Sequence, residues 1–471
     1  MRVHLVAVCG TGMGSLAGLL ASAGHDVSGS DVAFDPPMGP ALEQWGIRLL
    51  RGFSAEHLEP RPDLVVVGNV CRSDNVEARA AIDGGMQVTS MVGALADLLL
   101  EGTSPLVVAG THGKTTTTAL CAWLLDRAGL EPGFLIGGLP KNFSESFRRA
   151  RPTLPLAGRA RRTPFVVEGD EYDTAFFDKT PKFWHYRPEV AIITSIEHDH
   201  VDIYPSWSGY LDAFAGFVER IPEHGLIVAH GADPQVVAIC KQARAPVVWY
   251  GLDSDDLDQP HWLAAPLKEG GFDLFVGGSA CGRALVPLSG EHNLRNALAA
   301  LAAVCQGFNV PLHIALPALA AFAGVARRQE LIFDSGGIHV YDDFAHHPTA
   351  VRHTLHGLRR RHREGRLIAV YEARTATACR KLHQEAYLEA FDAADRVIFA
   401  PLGRDIGEGE RLDLDALVSG LHARDIAAER APSIDAIVAS LSHEARAGDT
   451  IVLLSNGAFG RIQEKLRAAL S

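Results

Sequence analysis

At 471 residues the chain is too long for one compact core, and two to four domains are expected. Apolar residues make up 47% and charged residues 21%, and the formal net charge of -12 argues against a general nucleic-acid-backbone binder, which would need a basic face. Seven cysteines without a C-x-x-C pair argue for reduced thiols rather than a disulfide framework or a zinc site. No apolar run is long enough to span a bilayer, and the N-terminus carries no cleavable leader pattern, so a cytoplasmic protein is expected, with no nucleic-acid and no membrane partner.

The first elements read as a parallel α/β unit. "RVHLVAV" (2–8) is a buried strand, Gly10-Thr11-Gly12-Met13-Gly14 a turn, "SLAGLLASAG" a helix and "HDVSGSD" a second strand ending at Asp31. "DLVVVGNV" and "MQVTSM" continue the βα rhythm of a doubly wound sheet. "LEGTSP" (100–105) breaks it as a hinge. "PLVVAG" then opens a second unit, with further strands at "PFVVEGD" and "EVAIITSI". The basic, proline-containing stretch between them reads as an exposed loop, either a plain insertion or a lid. From about 226 to 290 short strands with turn signals suggest a small β-rich flap. "GEHNLRNALAALAAV" starts a helix, and beyond Gly324 a third α/β unit contains "GIHVYDDF", "RLIAVYEA", "DRVIFAP" and "TIVLLSNG" as strands. The expected domains are 1–103, 104–323 and 324–471. The basic "LRRRHREGR" (358–366) reads as a solvated helix end.

The second unit opens on chemistry. Gly110-Thr111-His112-Gly113-Lys114-Thr115-Thr116 lies between a strand and a helix. Glycines let backbone N–H groups converge on phosphate oxygens, and the helix adds its positive dipole end. Lys114 suits the β- and γ-phosphates, and the Thr115 hydroxyl suits Mg²⁺. The loop is shorter than the common form, because Val108 stands where its first glycine would be. Two acidic clusters follow at strand ends, "EGDEYD" (168–173) and "EHDHVD" (197–202). In an open parallel sheet, ligands gather beyond those ends. Glu168 and His200 are the candidate Mg²⁺ ligands beside the phosphate loop, with ATP as the bound nucleotide. His292, Asn293 and Asn296 either cap the helix they open or bond adenine and ribose.

The earlier turn, Gly10-x-Gly12-x-Gly14 with Asp31 about twenty residues on, resembles a dinucleotide fingerprint whose last glycine is replaced by Ser15. It fits a nucleotide diphosphate of another kind equally well. The chain thus holds two nucleotides, one reacting and one serving as a handle.

Together "CGTGMGSLAG", "GTHGKTTTT", "EGDEYDTAFFDK", "EHDHVDIYP", "GEHNLRNALAALAA", "GVARRQE" and "YDDFAHHPTA" resemble the Mur ligases, ATP-dependent amide-forming enzymes of peptidoglycan synthesis. The resemblance spans the whole chain. It implies a Rossmann-like N-terminal domain, a central P-loop ATPase-like domain with a parallel sheet and a C-terminal Rossmann-like α/β domain. Motifs such as "GGLPKNF" and "LLSNGAFGRIQEKL" are most similar to the branch that recycles cell-wall tripeptide onto UDP-N-acetylmuramate. The branch that adds L-alanine to the same nucleotide sugar is the alternative. The family implies an acyl-phosphate mechanism with Lys114, Glu168, His200, His346 and Arg374 as catalytic residues. It places Arg328 and Asp343 on ATP, Thr115, Glu168 and His200 on Mg²⁺, and Gly10, Thr11, Gly12, Met13, Ser30 and Asp31 on the UDP group. It implies a monomer or weak homodimer whose site is complete only after domain closure.

Three departures stand out. No lysine lies between Lys182 and Lys241, so the carbamylated lysine of several family members is absent. "TATACR" follows Arg374 where an Arg-Ser-Asn-Thr-Met-Lys-like stretch is expected, and "EGD" replaces "EAD". An NAD-dependent oxidoreductase and a non-catalytic ATP switch are competing readings; the first leaves the 110–115 loop and both acidic clusters unexplained.

Overall fold

The computed structural model describes residues 1–151, 162–255, 257 and 261–470. The basic loop between "FRRA" and "TPFVV" therefore falls largely outside the described residues. The N-terminal sheet is all parallel, built from β1 (Arg2–Val6), β2 (Asp26–Asp31), β3 (Arg48–Arg51), β4 (Leu64–Val67) and β5 (Val88–Ser90) in the order β3-β2-β1-β4-β5. The helix Thr11–Ser22 begins at Gly10, whose extended backbone turns the chain beyond β1. A Cβ added to Gly18 on this helix would lie 2.4 Å from the Phe147 ring of the central unit, so glycine there permits close approach of the two units.

The central unit is one ten-stranded sheet. Its strands are β6 (Ser104–Ala109), β7 (Gly133–Leu135), β8 (Phe147–Arg148), β9 (Pro164–Gly169), β12 (Val190–Ile193), β13 (Leu226–His230), β14 (Val247–Leu252), β15 (Trp262–Pro266), β16 (Phe272–Val276) and β17 (Ser279–Ala284). The order is β17-β16-β15-β14-β13-β12-β6-β9-β7-β8, and β10 (Asp173–Ala175) with β11 (Asp178–Pro181) forms a separate hairpin. All six residues of β6 are buried, as expected for an apolar strand covered on both faces. The β-rich stretch is not a flap: β14 pairs parallel with β13 and β15 parallel with β14, and β16 and β17 turn back antiparallel to extend the same layer. The reason is burial. Trp262, Ala264, Phe272, Leu274 and Ala284 join the same apolar core as Leu298 and Leu301 of the helix Glu291–Phe308.

The third sheet runs β18-β19-β23-β20-β21-β22, from β18 (Glu330–Ser335), β19 (Ile338–Asp343), β20 (Leu367–Tyr371), β21 (Arg396–Phe399), β22 (Ala427–Arg430) and β23 (Thr450–Leu454). Only β18 is antiparallel to its neighbour. The connection from the central unit is tied at Ala326 N–H to Leu139 O (2.9 Å) and Lys141 N–H to Gly324 O (2.9 Å). The basic 358–366 stretch is not simply solvated. Arg360 pairs with Glu291 of the central unit at 2.7 Å, and Arg366 pairs with Asp449 at 2.6 Å.

Candidate active site

β6 ends at Ala109 and the next helix begins at Lys114, leaving a short loop between them. Gly110 (φ 130°) and Gly113 (φ 80°) both take left-handed backbone that a side chain disfavours. A Cβ on Gly110 would also lie 2.1 Å from Thr194 Oγ1, and one on Gly113 2.4 Å from Asn296 Oδ1. Val108 lies inside β6, in register with Ile192 and Glu168, so the turn opens two residues later than in the longer form of such loops.

Lys114 Nζ donates to Gly110 O at 2.7 Å and pairs with Glu171 at 2.8 Å. Glu171 is completely buried and also meets His200 Nε2 (3.3 Å) and the hydroxyl of Tyr210 (3.3 Å). Burial opposes its charge, but Lys114 and His200 hold its carboxyl down to about 2. Burial likewise opposes the His200 imidazolium, yet Glu171 and Asp199 raise it to about 9. His200 has a positive φ of 51°, an uncommon conformation for a non-glycine residue and one that concentrates at functional sites. Glu168 takes the other side of the loop. It accepts from Thr115 Oγ1 (3.1 Å) and from the backbone of Gly137 (2.6 Å), while Arg328 donates to the same Thr115 hydroxyl at 2.9 Å. Burial and Asp170 raise the Glu168 carboxyl above the usual carboxylate range.

Thus Lys114, Thr115, Glu168, His200 and Arg328 share one site, and Glu171 links Lys114 to His200. The Thr115 hydroxyl and the Glu168 carboxylate are oxygen donors that fit Mg²⁺; His200, expected as a third ligand, is instead held as an imidazolium against Glu171. In "EGD", the middle glycine has little room: a Cβ there would stand 2.8 Å from Val107 Cγ1.

The helix Glu291–Phe308 brings the adenosine candidates alongside. Its N-cap is Gly290, with no side-chain cap bond, so His292, Asn293 and Asn296 do not cap it. Asn293 donates to Ser289 O (2.8 Å), and Asn296 donates to Asn293 Oδ1 (3.2 Å). His292 stacks on His353 with centroids 5.4 Å apart, and burial pushes it down to about 3.

The third unit meets this site along a seam. Both carboxylate oxygens of Asp343 accept backbone N–H groups, from Gln329 and Ala345, each at 2.7 Å. Nδ1 of His346 lies 3.1 Å from Phe344 O, and burial lowers its proton affinity. Thr349 donates to Glu197 at 2.6 Å, and Glu197 also pairs with His112 at 3.1 Å. Within the loop, the Thr111 hydroxyl bonds Glu197 O and Tyr210, and Thr116 is buried. Arg374 is set apart. It is exposed, packed where a Cβ on Gly403 or Gly457 would strike it, and makes no recorded hydrogen bond among the described residues. Beside it opens a cavity of about 630 Å³, lined by Lys381, Arg404, Arg411, Asp405 and Glu408 among others.

The first glycine turn is braced by Asp31, which accepts from Cys9 N–H (2.8 Å) and Val32 N–H (2.7 Å). Gly10, Thr11, Gly12 and Met13 lead into the helix above it. The Ser30 hydroxyl instead points inward, to the buried Glu77 at 2.8 Å.

Three α/β layers, with a triphosphate-type loop in the middle one and an arginine delivered from the third, define a multidomain nucleotide-using enzyme. The chain belongs to the Mur ligase family, whose ATP-dependent ligases carry the same three parts. The Mur ligase catalytic domain matches residues 2–102, the middle domain 108–304 and the glutamate ligase domain 327–457. It is 36% identical to the Escherichia coli UDP-N-acetylmuramate–L-alanyl-γ-D-glutamyl-meso-2,6-diaminoheptandioate ligase, over 100% of this chain and 98% of the relative. A UDP-N-acetylmuramate–L-alanine ligase of Roseiflexus sp. is 34% identical over 98% of each chain. The crystal structure of a murein peptide ligase from Psychrobacter arcticus superposes with a TM-score of 0.74 at 35% identity, covering 100% of this chain and 98% of that one.

Proposed function

We propose that this enzyme joins the tripeptide L-alanyl-γ-D-glutamyl-meso-diaminopimelate to the lactyl carboxylate of UDP-N-acetylmuramate, with ATP converted to ADP and phosphate. The observation that carries this reading is the full-length similarity to the Escherichia coli tripeptide ligase, in a chain whose Lys114, Glu168, Glu171, His200 and Arg328 converge on one loop. We take 1–103 as the UDP-sugar-binding domain, 104–323 as the central ATP-binding ligase domain and 324–471 as the C-terminal α/β ligase domain.

In this reading Gly10–Met13 and Asp31 hold the UDP group, and the muramate carboxylate is brought to the phosphate loop. Backbone N–H groups of 111–115 and Lys114 hold the triphosphate, and Arg328 offsets charge on the transferring phosphoryl group. His292, Asn293 and Asn296 meet the adenosine. Thr115 and Glu168 would hold Mg²⁺, which would neutralise phosphate charge, and the His200 imidazolium would face the same charge from beside Glu171. The carboxylate oxygen attacks the γ-phosphorus, giving an acyl phosphate and ADP. The tripeptide amine then attacks the carbonyl carbon and phosphate leaves. His346 is held neutral by burial, and Nδ1–H donation to Phe344 O makes Nε2 its acceptor, suited to take the amine proton. Water must be excluded, because it would hydrolyse the acyl phosphate.

A cavity of about 630 Å³ in the third unit has room for a peptide. Among the described residues, Lys381, Arg404 and Arg411 have no recorded side-chain ion pair, so they are available to the tripeptide's carboxylates, while Asp405 and Glu408 suit its distal ammonium. The test is phosphate release with UDP-N-acetylmuramate and either the intact tripeptide or free L-alanine. Turnover with tripeptide is expected. Turnover with L-alanine alone would assign the enzyme to the L-alanine-adding branch.

A further inference from the structure

Beyond the site assigned to Mg²⁺ lies a second group of metal-type donors. His112 Nε2 sits 3.1 Å from Glu197 Oε2, and His347 Nδ1 sits 3.4 Å from the same oxygen. One donor atom from each of the three falls within 4.8 Å of the others. Two observations separate this from an ordinary polar contact. His347 is only 7% exposed, yet neither of its ring nitrogens has a hydrogen-bond partner. A buried imidazole whose Nε2 has no partner and whose Nδ1 has only a poorly aligned 3.4 Å approach to Glu197 is costly unless something occupies the space between them. Its neighbour across the ring, His383, with centroids 4.7 Å apart, also has an unpartnered buried Nε2. Thr349 meanwhile donates to Glu197 Oε2, an outer contact of the kind that orients a ligating carboxylate.

We propose that His112, Glu197 and His347 form a site for a borderline divalent transition-metal ion of the Zn²⁺ or Co²⁺ type, separate from the Mg²⁺ position. Two imidazoles and one carboxylate with an open fourth position match that class, whereas Mg²⁺ prefers oxygen donors throughout. The ligands come from both sides of the seam: His112 from the phosphate loop, Glu197 from the segment after β12 and His347 from the start of the helix Pro348–Arg361. A bound ion therefore ties the phosphate loop to the third unit, and its release frees that unit to move.

The experiment is titration of the untagged, nucleotide-free full chain with Co²⁺ in a large excess of Mg²⁺, following the visible d–d absorption. One saturable equivalent with intense low-symmetry bands is expected. His347→Gln and Glu197→Gln should each weaken that binding at least about tenfold, the scale on which one ligand contributes, while His200→Gln retains the bands. Thermal melting without metal checks that each variant is folded, and two variants guard against the loss of one. Absence of the bands in the wild type overturns the proposal. So does binding that survives His347→Gln and Glu197→Gln, or that disappears with His200→Gln instead.

Discussion

Glu171 organises the resting site from a fully buried position, between Lys114 on one side and His200 on the other. Its carboxyl is held down to about 2 and the His200 imidazole is raised to about 9. A depressed acid stabilises the fold above its ordinary value and loses that contribution as pH falls through its lowered one. A raised base stabilises below its ordinary value and loses that contribution as pH rises through its raised one. The pair is therefore fully effective between roughly pH 4.5 and 6.5, the ordinary carboxyl and imidazole values, and weakens as pH climbs through about 9. Thermal melting of the nucleotide-free chain should fall from neutral pH toward alkaline pH, and His200→Gln should flatten that fall. Parallel curves for both proteins would remove the pair from the account. The sequence shows "EGDEYD" as a crowd of acids and yields Glu168, but which acid meets Lys114 is decided by a contact between residues 57 apart in the chain. His347 and Glu197 were hidden for the same reason: their pairing joins two units.

At the scale of elements, the strand–loop–helix around 110–115 was legible, because an apolar run, glycines at the turn and a helix-forming stretch are all local signals. The structure adds why the loop is short: Val108 is committed to β6 and Gly110 makes the turn. Gly113→Ala puts a Cβ into left-handed backbone, at a cost of about 1–2 kcal/mol, and directs it at Asn296 Oδ1. ATP affinity measured by calorimetry should fall at least about tenfold, which corresponds to about 1.4 kcal/mol, with UDP-N-acetylmuramate affinity nearly unchanged. Equal losses for both ligands would mean the two nucleotide sites are not separate. The elements that escaped notice were short or weakly apolar. β3 is "RLLR" and β22 is "AAER", and neither carries the alternation or apolar run that marks a strand in sequence. The 226–290 region read as a flap because its strands are brief; only the helix that covers them reveals one continuous layer.

Across the whole molecule, the order of three α/β units could be read from βα rhythm, but not how the third reaches the second. Arg328 and Thr115 are 213 residues apart in sequence and 2.9 Å apart in space. This contact joins the third unit to the 110–115 loop, and the Lys141–Glu330 ion pair at 2.8 Å ties it to the central unit again. Arg328→Ala should lower kcat about a hundredfold, the scale of losing one charged transition-state contact, with little change in KM for UDP-N-acetylmuramate. A KM rise with kcat intact would instead make Arg328 a ground-state binding group. The long central layer carries a different consequence. Ten strands side by side would ordinarily invite a second copy to continue the ladder. One rim stops at the two-residue β8. At the other, β17 pairs with a shifted register and carries Arg283 locked to Asp273. Neither rim of the largest sheet therefore presents a long, regular ladder for a second copy to extend.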